Sequence, residues 1–154
     1  MFRIFNLPDN GLANLLNLET LSLASNQIGR LADGGLSGLL SLQTLNLASN
    51  RLVALPASAF AGLRQLRELR LDNNSLTGLQ PGLFRALDSL LVLNLSRNYF
   101  TAESAGGGAF SGLRRLVALD LSQNRLEAVD RLSLQNLASL QILNLSHNRF
   151  LSYK

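Results

Sequence analysis

Leucine marks this chain at intervals too long for a helical turn and too regular for chance. The run Leu-x-x-Leu-x-Leu-x-x-Asn begins at Leu18, Leu42, Leu66, Leu90, Leu116 and Leu140, in steps of 24, 24, 24, 26 and 24 residues. Each copy reaches an asparagine eight residues on: Asn26, Asn50, Asn74, Asn98, Asn124 and Asn148. Within x-Leu-x-Leu-x the side chains alternate, so Leu21 with Leu23, or Leu69 with Leu71, point one way while their neighbours face solvent. One short strand per copy is the predicted element. Between the signatures runs a second register, Leu36, Phe60, Phe84, Phe110 and Leu134, each followed three residues later by another leucine. Helix signals there are weak, because segments such as 54–64 carry Pro56 and Gly62, and irregular coil or single helical turns are expected.

A single such unit cannot bury its own leucines, so the units must stack. Stacking at about 4.8 Å per strand gives an α/β right-handed solenoid with a concave parallel β-sheet and a mostly irregular convex side. One domain over residues 1–154 is predicted, with a shortened first repeat at about 2–17 and repeats starting at 18, 42, 66, 90, 116 and 140. In that first copy Phe2, Phe5, Leu7, Asn10 and Leu12 take the signature positions, 16 residues ahead of Leu18. The asparagines read as a hydrogen-bonded ladder, since leaving such buried amides unpaired costs about 1 to 3 kcal/mol each. Phe60, Phe84 and Phe110 read as a stacked spine beneath the convex side.

Composition closes off several functions. There is no cysteine, which excludes disulfides, thiolate metal sites and a cysteine nucleophile. The net charge is +4, with 13 arginines spread along the sequence, so no concentrated patch and no nucleic-acid partner is expected. Apolar runs fall short of the roughly 18 to 20 residues of a membrane span, and no signal peptide opens the chain, which as it stands is expected to be soluble and untargeted.

Catalytic chemistry is equally sparse. His147, the one histidine, sits near the rim of the last strand without a metal-spaced partner. Ser146 beside it repeats the positions of Ser96 and Ser122 and so belongs to the pattern. Gly106, Gly107 and Gly108 lack the Lys-Ser/Thr of a phosphate-binding loop and read as a flexible convex loop. Asp72-Asn73-Asn74 resembles part of a calcium loop but lacks its glycine and terminal glutamate. No catalytic residue, metal or cofactor is expected.

Solvent-facing strand positions define where a ligand could sit. The central column is Ser22, Asn46, Arg70, Asn94, Asp120 and Asn144. One flank is Thr20, Thr44, Glu68, Val92, Ala118 and Ile142, and the other is Ala24, Ala48, Asp72, Ser96, Ser122 and Ser146. Glu68, Arg70 and Asp72 form the densest charge cluster, and with Asn94, Arg97 and Asp120 they make the expected concave ligand site; the alternative is a mutually neutralised, solvated patch. Asn73, Asn94 and Asn144 open Asn-x-Ser sequons.

The form Leu-x-x-Leu-x-Leu-x-x-Asn-x-Leu-x-x-Leu-Pro-x-x-x-Phe-x-x-Leu, fullest over residues 42–63, resembles the typical class of extracellular leucine-rich repeats. The lengthened coil leading into AFSGLRRLVALDLSQNRLEAVD looks like an insect Toll-type receptor ectodomain. The resemblance implies an extracellular, non-enzymatic scaffold for a protein ligand or receptor partner, in innate immunity or development. Departures are the absence of cysteine-rich caps, a membrane span and a signalling domain, as in a fragment of a parent receptor. Without caps, Phe2, Ile4, Phe5 and Leu7 at one end, and Leu140, Leu143, Leu145 and Phe150 at the other, are expected to be exposed and to drive head-to-tail homo-oligomers, rings or filaments.

Overall fold

The computed structural model describes residues 3–151. Its strands are β1 (Asn6–Leu7), β2 (Thr20–Ser22), β3 (Arg30–Leu31), β4 (Thr44–Asn46), β5 (Glu68–Arg70), β6 (Val92–Asn94), β7 (Ala118–Asp120) and β8 (Ile142–Asn144). Six of them form one parallel sheet in the order β2-β4-β5-β6-β7-β8, so each coil pairs only with the coils beside it. The leucines fall in one line: Leu21 opposite Leu45, then Leu69, Leu93, Leu119 and Leu143. From Leu45 to Leu119 they are buried, as are Leu47, Leu71, Leu95 and Leu121, two residues further along the chain.

Apart from the β1–β3 pair, the backs of the coils are turns and irregular segments, with one four-residue helix, α1 (Arg131–Leu134), whose first turn is capped by the Asp130 carboxylate accepting from the Leu132 amide. Phe60, Phe84 and Phe110 stack there as the spacing predicts, with ring centroids 6.2 and 6.4 Å apart and planes within 11° of parallel. Phe100 is equally buried where the preceding coils place Leu52 and Leu76.

Each interior asparagine serves two coils. The Asn98 amide donates to the carbonyls of Leu95 in its own coil (3.1 Å) and Leu71 in the preceding one (3.0 Å), while its Oδ1 accepts from the Leu76 amide (2.9 Å). Asn50, Asn74 and Asn124 repeat this arrangement. No buried side-chain nitrogen or oxygen among the described residues lacks a partner. The 26-residue coil that starts at Leu90 keeps the same ladder, since Phe100 N–H still reaches Asn124 Oδ1 at 3.1 Å. Its two extra residues are taken up on the outside.

The first coil departs from the expected register. β1 does not extend the concave sheet. It pairs with β3, Asn6 opposite Arg30 and Leu7 opposite Leu31, and the Ile4 amide donates to Asn26 Oδ1. Residues from Ile4 onward are therefore the back half of a coil in the unbroken 24-residue register: Ile4 stands where Ile28 does, and Leu12 where Leu36 does. Phe5, Leu7, Asn10 and Leu12 do not take the signature positions of the concave sheet. Phe2 lies outside the described residues.

Candidate interaction surface

The concave columns are aligned as the strand register requires. Arg70 stands beside Asn46 and Asn94, and Asp120 beside Asn94 and Asn144. Their side chains are partly committed to the backbone. Asn46, Asn94, Asp120 and Asn144 each accept, through Oδ1, from the amide two residues on, at 2.8 to 3.1 Å. The flank from Ala24 to Ser146 is not the open surface that alternation suggests, because Ala48, Ser96 and Ser122 are buried. The chain turns inward there: the next residue is left-handed in every coil, at Ser25, Ser49, Asn73, Arg97, Gln123 and His147, with φ between 54° and 58°.

The charged cluster resolves into a pair and a bystander. Arg70 donates through Nε and Nη2 to the two oxygens of Asp72, at 3.1 and 3.2 Å, and this is the one ion pair among the described residues. The hydrogen bond to Asp72, then its charge, raises the Arg70 guanidinium above its ordinary pKa, with a smaller contribution from Glu68. Arg70 is thus charged at every accessible pH. Two of the cluster's three charges are internally neutralised. Asn94 and Asp120 share the next step of the sheet, whereas Arg97 leaves the concave face, its Nε donating to Gln123 Oε1 at 3.2 Å.

The sequence reading passed over a recess beside that cluster. Ala118 lies between Val92 and Ile142 on the open flank, and its small side chain leaves a dip of about 260 Å³ bordered by Asn94, Asp120 and Asn144. Val92 is 39% and Ile142 61% exposed, so two apolar walls stand in water beside a carboxylate. The signal was present in the order Val-Ala-Ile down one column, but its meaning depends on these coils being neighbours.

Of the sequon asparagines, Asn73 is exposed and donates to Ser49 Oγ, while Asn94 and Asn144 are half-buried on the concave face. Of the end residues, Ile4, Phe5, Leu143 and Phe150 are exposed, while Leu140 and Leu145 are half-buried. Leu7 is not an end-face residue: it is buried in the core, because β1 lies alongside β3. No group of three or more His, Cys, Asp or Glu that could hold a metal ion occurs among the described residues, and no helix is long and apolar enough to cross a membrane.

This geometry agrees with the comparisons to known proteins. The leucine rich repeat family matches at residues 3–52, 16–76, 41–100 and 101–150, and the chain belongs to that family. Among solved structures it is similar to Toll in the Toll–Spatzle complex of Drosophila, with 31% identity and a TM-score of 0.87 over 95% of this chain and 19% of that one. It is similar too to the leucine-rich-repeat domain of APL1, with 29% identity and a TM-score of 0.85 over 95% of this chain and 37% of that one. A leucine-rich-repeat protein of Leptospira interrogans gives 29% identity and a TM-score of 0.85 over 98% of this chain and 36% of that one. The chain thus spans well under half the length of these proteins. No curated protein sequence matches it. The class is a protein-interaction scaffold with Toll-type resemblance.

Proposed function

We propose that this chain is a ligand-binding part of a Toll-type receptor ectodomain, extracellular, non-enzymatic, and acting in innate immunity or development. The observation that carries the reading is the concave recess, where exposed Val92 and Ile142 flank Ala118 beside Asp120. A protein partner would seat an apolar side chain between them and a donor on Asp120, with Glu68, Arg70, Asp72 and Asn94 extending the contact and Arg97 meeting its edge. Toll in the similar structure is bound to Spatzle, so a Spatzle-type protein is the first ligand to try. Biolayer interferometry with that ligand should show saturable binding, weakened at least about tenfold by Ala118→Arg, which fills the recess. Binding unchanged by both Ala118→Arg and Arg70→Glu, or no binding at all, sinks the proposal. Glycans on Asn94 and Asn144, if attached, would shift the partner toward a flank, whereas one on Asn73 would leave the recess open.

A second reading, homo-assembly through the end coils, is favoured by the apolar surface at both ends. Phe5 is 58% exposed at one end and Leu143 38% at the other. A second copy stacked head to tail on these faces would give rings or filaments. Light scattering should show particles larger than one chain at micromolar concentration, reduced by Leu143→Asp with Leu145→Asp. A monodisperse monomer would end this reading.

A further inference from the structure

Reading down the coils on either side of the asparagine ladder places together residues far apart in sequence. Just before the ladder stand Arg97, Gln123 and His147, and just after it Tyr99, Arg125 and Arg149, all exposed. Backbone bonds hold both columns in register: Arg97 N–H donates to Ser122 O, Arg125 N–H to Phe100 O and Arg149 N–H to Leu126 O, at 2.9 to 3.0 Å. Three of the 13 arginines, far apart in sequence, therefore converge on one rim of the last three coils. No carboxylate pairs with them, since the one ion pair among the described residues is Arg70–Asp72.

Two of these guanidinium groups are already oriented by neutral partners. Arg125 lies over the Tyr99 ring, 4.3 Å from its centroid, and Arg97 is held through Nε by Gln123. Such contacts restrain the long side chains without consuming their charge, so less rotamer freedom remains to be lost on binding. The terminal nitrogens are left as forks suited to carboxylates.

We propose that this rim is a second interaction surface, which takes an acidic segment of a protein partner. Three arginines over two coil steps, about 10 Å at the strand spacing, match two or three carboxylates of an extended chain, whose same-side residues recur about every 7 Å. Nucleic-acid binding commonly neutralises six to ten phosphates and calls for a longer basic track. Tyrosine and arginine together are the side chains on which protein interfaces concentrate their affinity. This rim shares only Arg97 with the edge of the concave contact, and acidic-peptide binding here does not depend on that contact.

The test is fluorescence anisotropy with a fluorescein-labelled peptide carrying eight glutamates, at low and moderate salt. Saturable binding is expected to weaken at least about tenfold in Arg97→Gln/Arg125→Gln/Arg149→Gln. It should change less than about twofold in Arg64→Gln/Arg85→Gln/Arg114→Gln, which removes the same charge from exposed positions elsewhere. Tyr99→Phe should keep the affinity and Tyr99→Ala lower it about threefold. Matching circular dichroism of the variants excludes unfolding as the cause. Absence of saturable binding, equal losses in the two triple variants, or tighter binding of a sulfated oligosaccharide or an oligonucleotide of equal charge would overturn the proposal.

Discussion

Asn98→Ala offers a sharp test of the ladder, because the groups it would abandon can be followed one by one. The Asn98 amide donates to the carbonyls of Leu71, Leu95 and Ser96, but each of these keeps another donor: Asn74 Nδ2, Asn124 Nδ2 and the Asn73 amide. The Leu76 amide has no substitute, since Asn98 Oδ1 is its acceptor and Leu76 is fully buried. One orphaned buried N–H costs about 1 to 3 kcal/mol, and the small void left by the amide adds roughly half a kcal/mol. At Asn26 the same change should cost less than about 1 kcal/mol. There the amide served by Asn26 is that of exposed Ile4, to which water can bind instead. Urea unfolding followed by far-ultraviolet circular dichroism measures both. Asn98→Asp adds a pH signature: its carboxylate would face three carbonyl oxygens in a buried site, which raises its folded pKa above the unfolded value of about 3.9. A raised folded pKa means that the variant's relative stability is greatest below the unfolded value and lost as pH rises through the folded one. Asn98→Asp should therefore fall further below wild type at pH 7 than at pH 4.5. Equal losses for Asn98→Ala and Asn26→Ala, or the opposite pH trend, would refute the ladder as a source of stability.

Phe84 is stacked on both faces, so Phe84→Ala should cost about 3 to 5 kcal/mol in the same urea experiment and Phe84→Leu distinctly less. Gly112 has φ +99°, and an added Cβ would lie 2.9 Å from Arg85 Cα, whereas Gly108, at φ +81°, has nothing within 4 Å of that position. Thermal melts should therefore rank Gly112→Ala below Gly108→Ala, with both below wild type. A double-mutant cycle on Arg70 and Asp72 should give a coupling of about 0 to 1 kcal/mol that shrinks with salt, because the Arg70 side chain is 41% exposed.

What the sequence discloses here is whatever repeats. The leucine columns, the ladder and the phenylalanine spine each recur every 24 or 26 residues, and each copy confirms the others. The first coil misleads because Phe5, Leu7 and Asn10 mimic the local signature. Longer-range bonds decide its register: Asn26 captures the Ile4 amide and Leu31 buries Leu7. The charge cluster was visible as neighbours in sequence, with mutual neutralisation as the alternative to a ligand site; that Arg70 would choose Asp72 through two hydrogen bonds and leave Glu68 aside was not. The recess and the rim were hidden for a different reason. Val92, Ala118 and Ile142, like Tyr99, Arg125 and Arg149, do not belong to the consensus, so they acquire meaning only when coils are superposed. Reading the columns on both sides of each asparagine, rather than those between the leucines alone, would have found the rim.

The coil that starts at Leu90, two residues longer than its neighbours, leaves the pairing of Val92 with Ala118 and the bond from Phe100 to Asn124 unaltered. Outer length is thereby released from inner register. Gly107 and Gly108 sit in that slack with open space around them, so heredity, or an engineer, can write new sequence into the outer loop without rewriting the face that binds. In such an architecture novelty has a margin of its own, and the binding face can stay old while the margin changes.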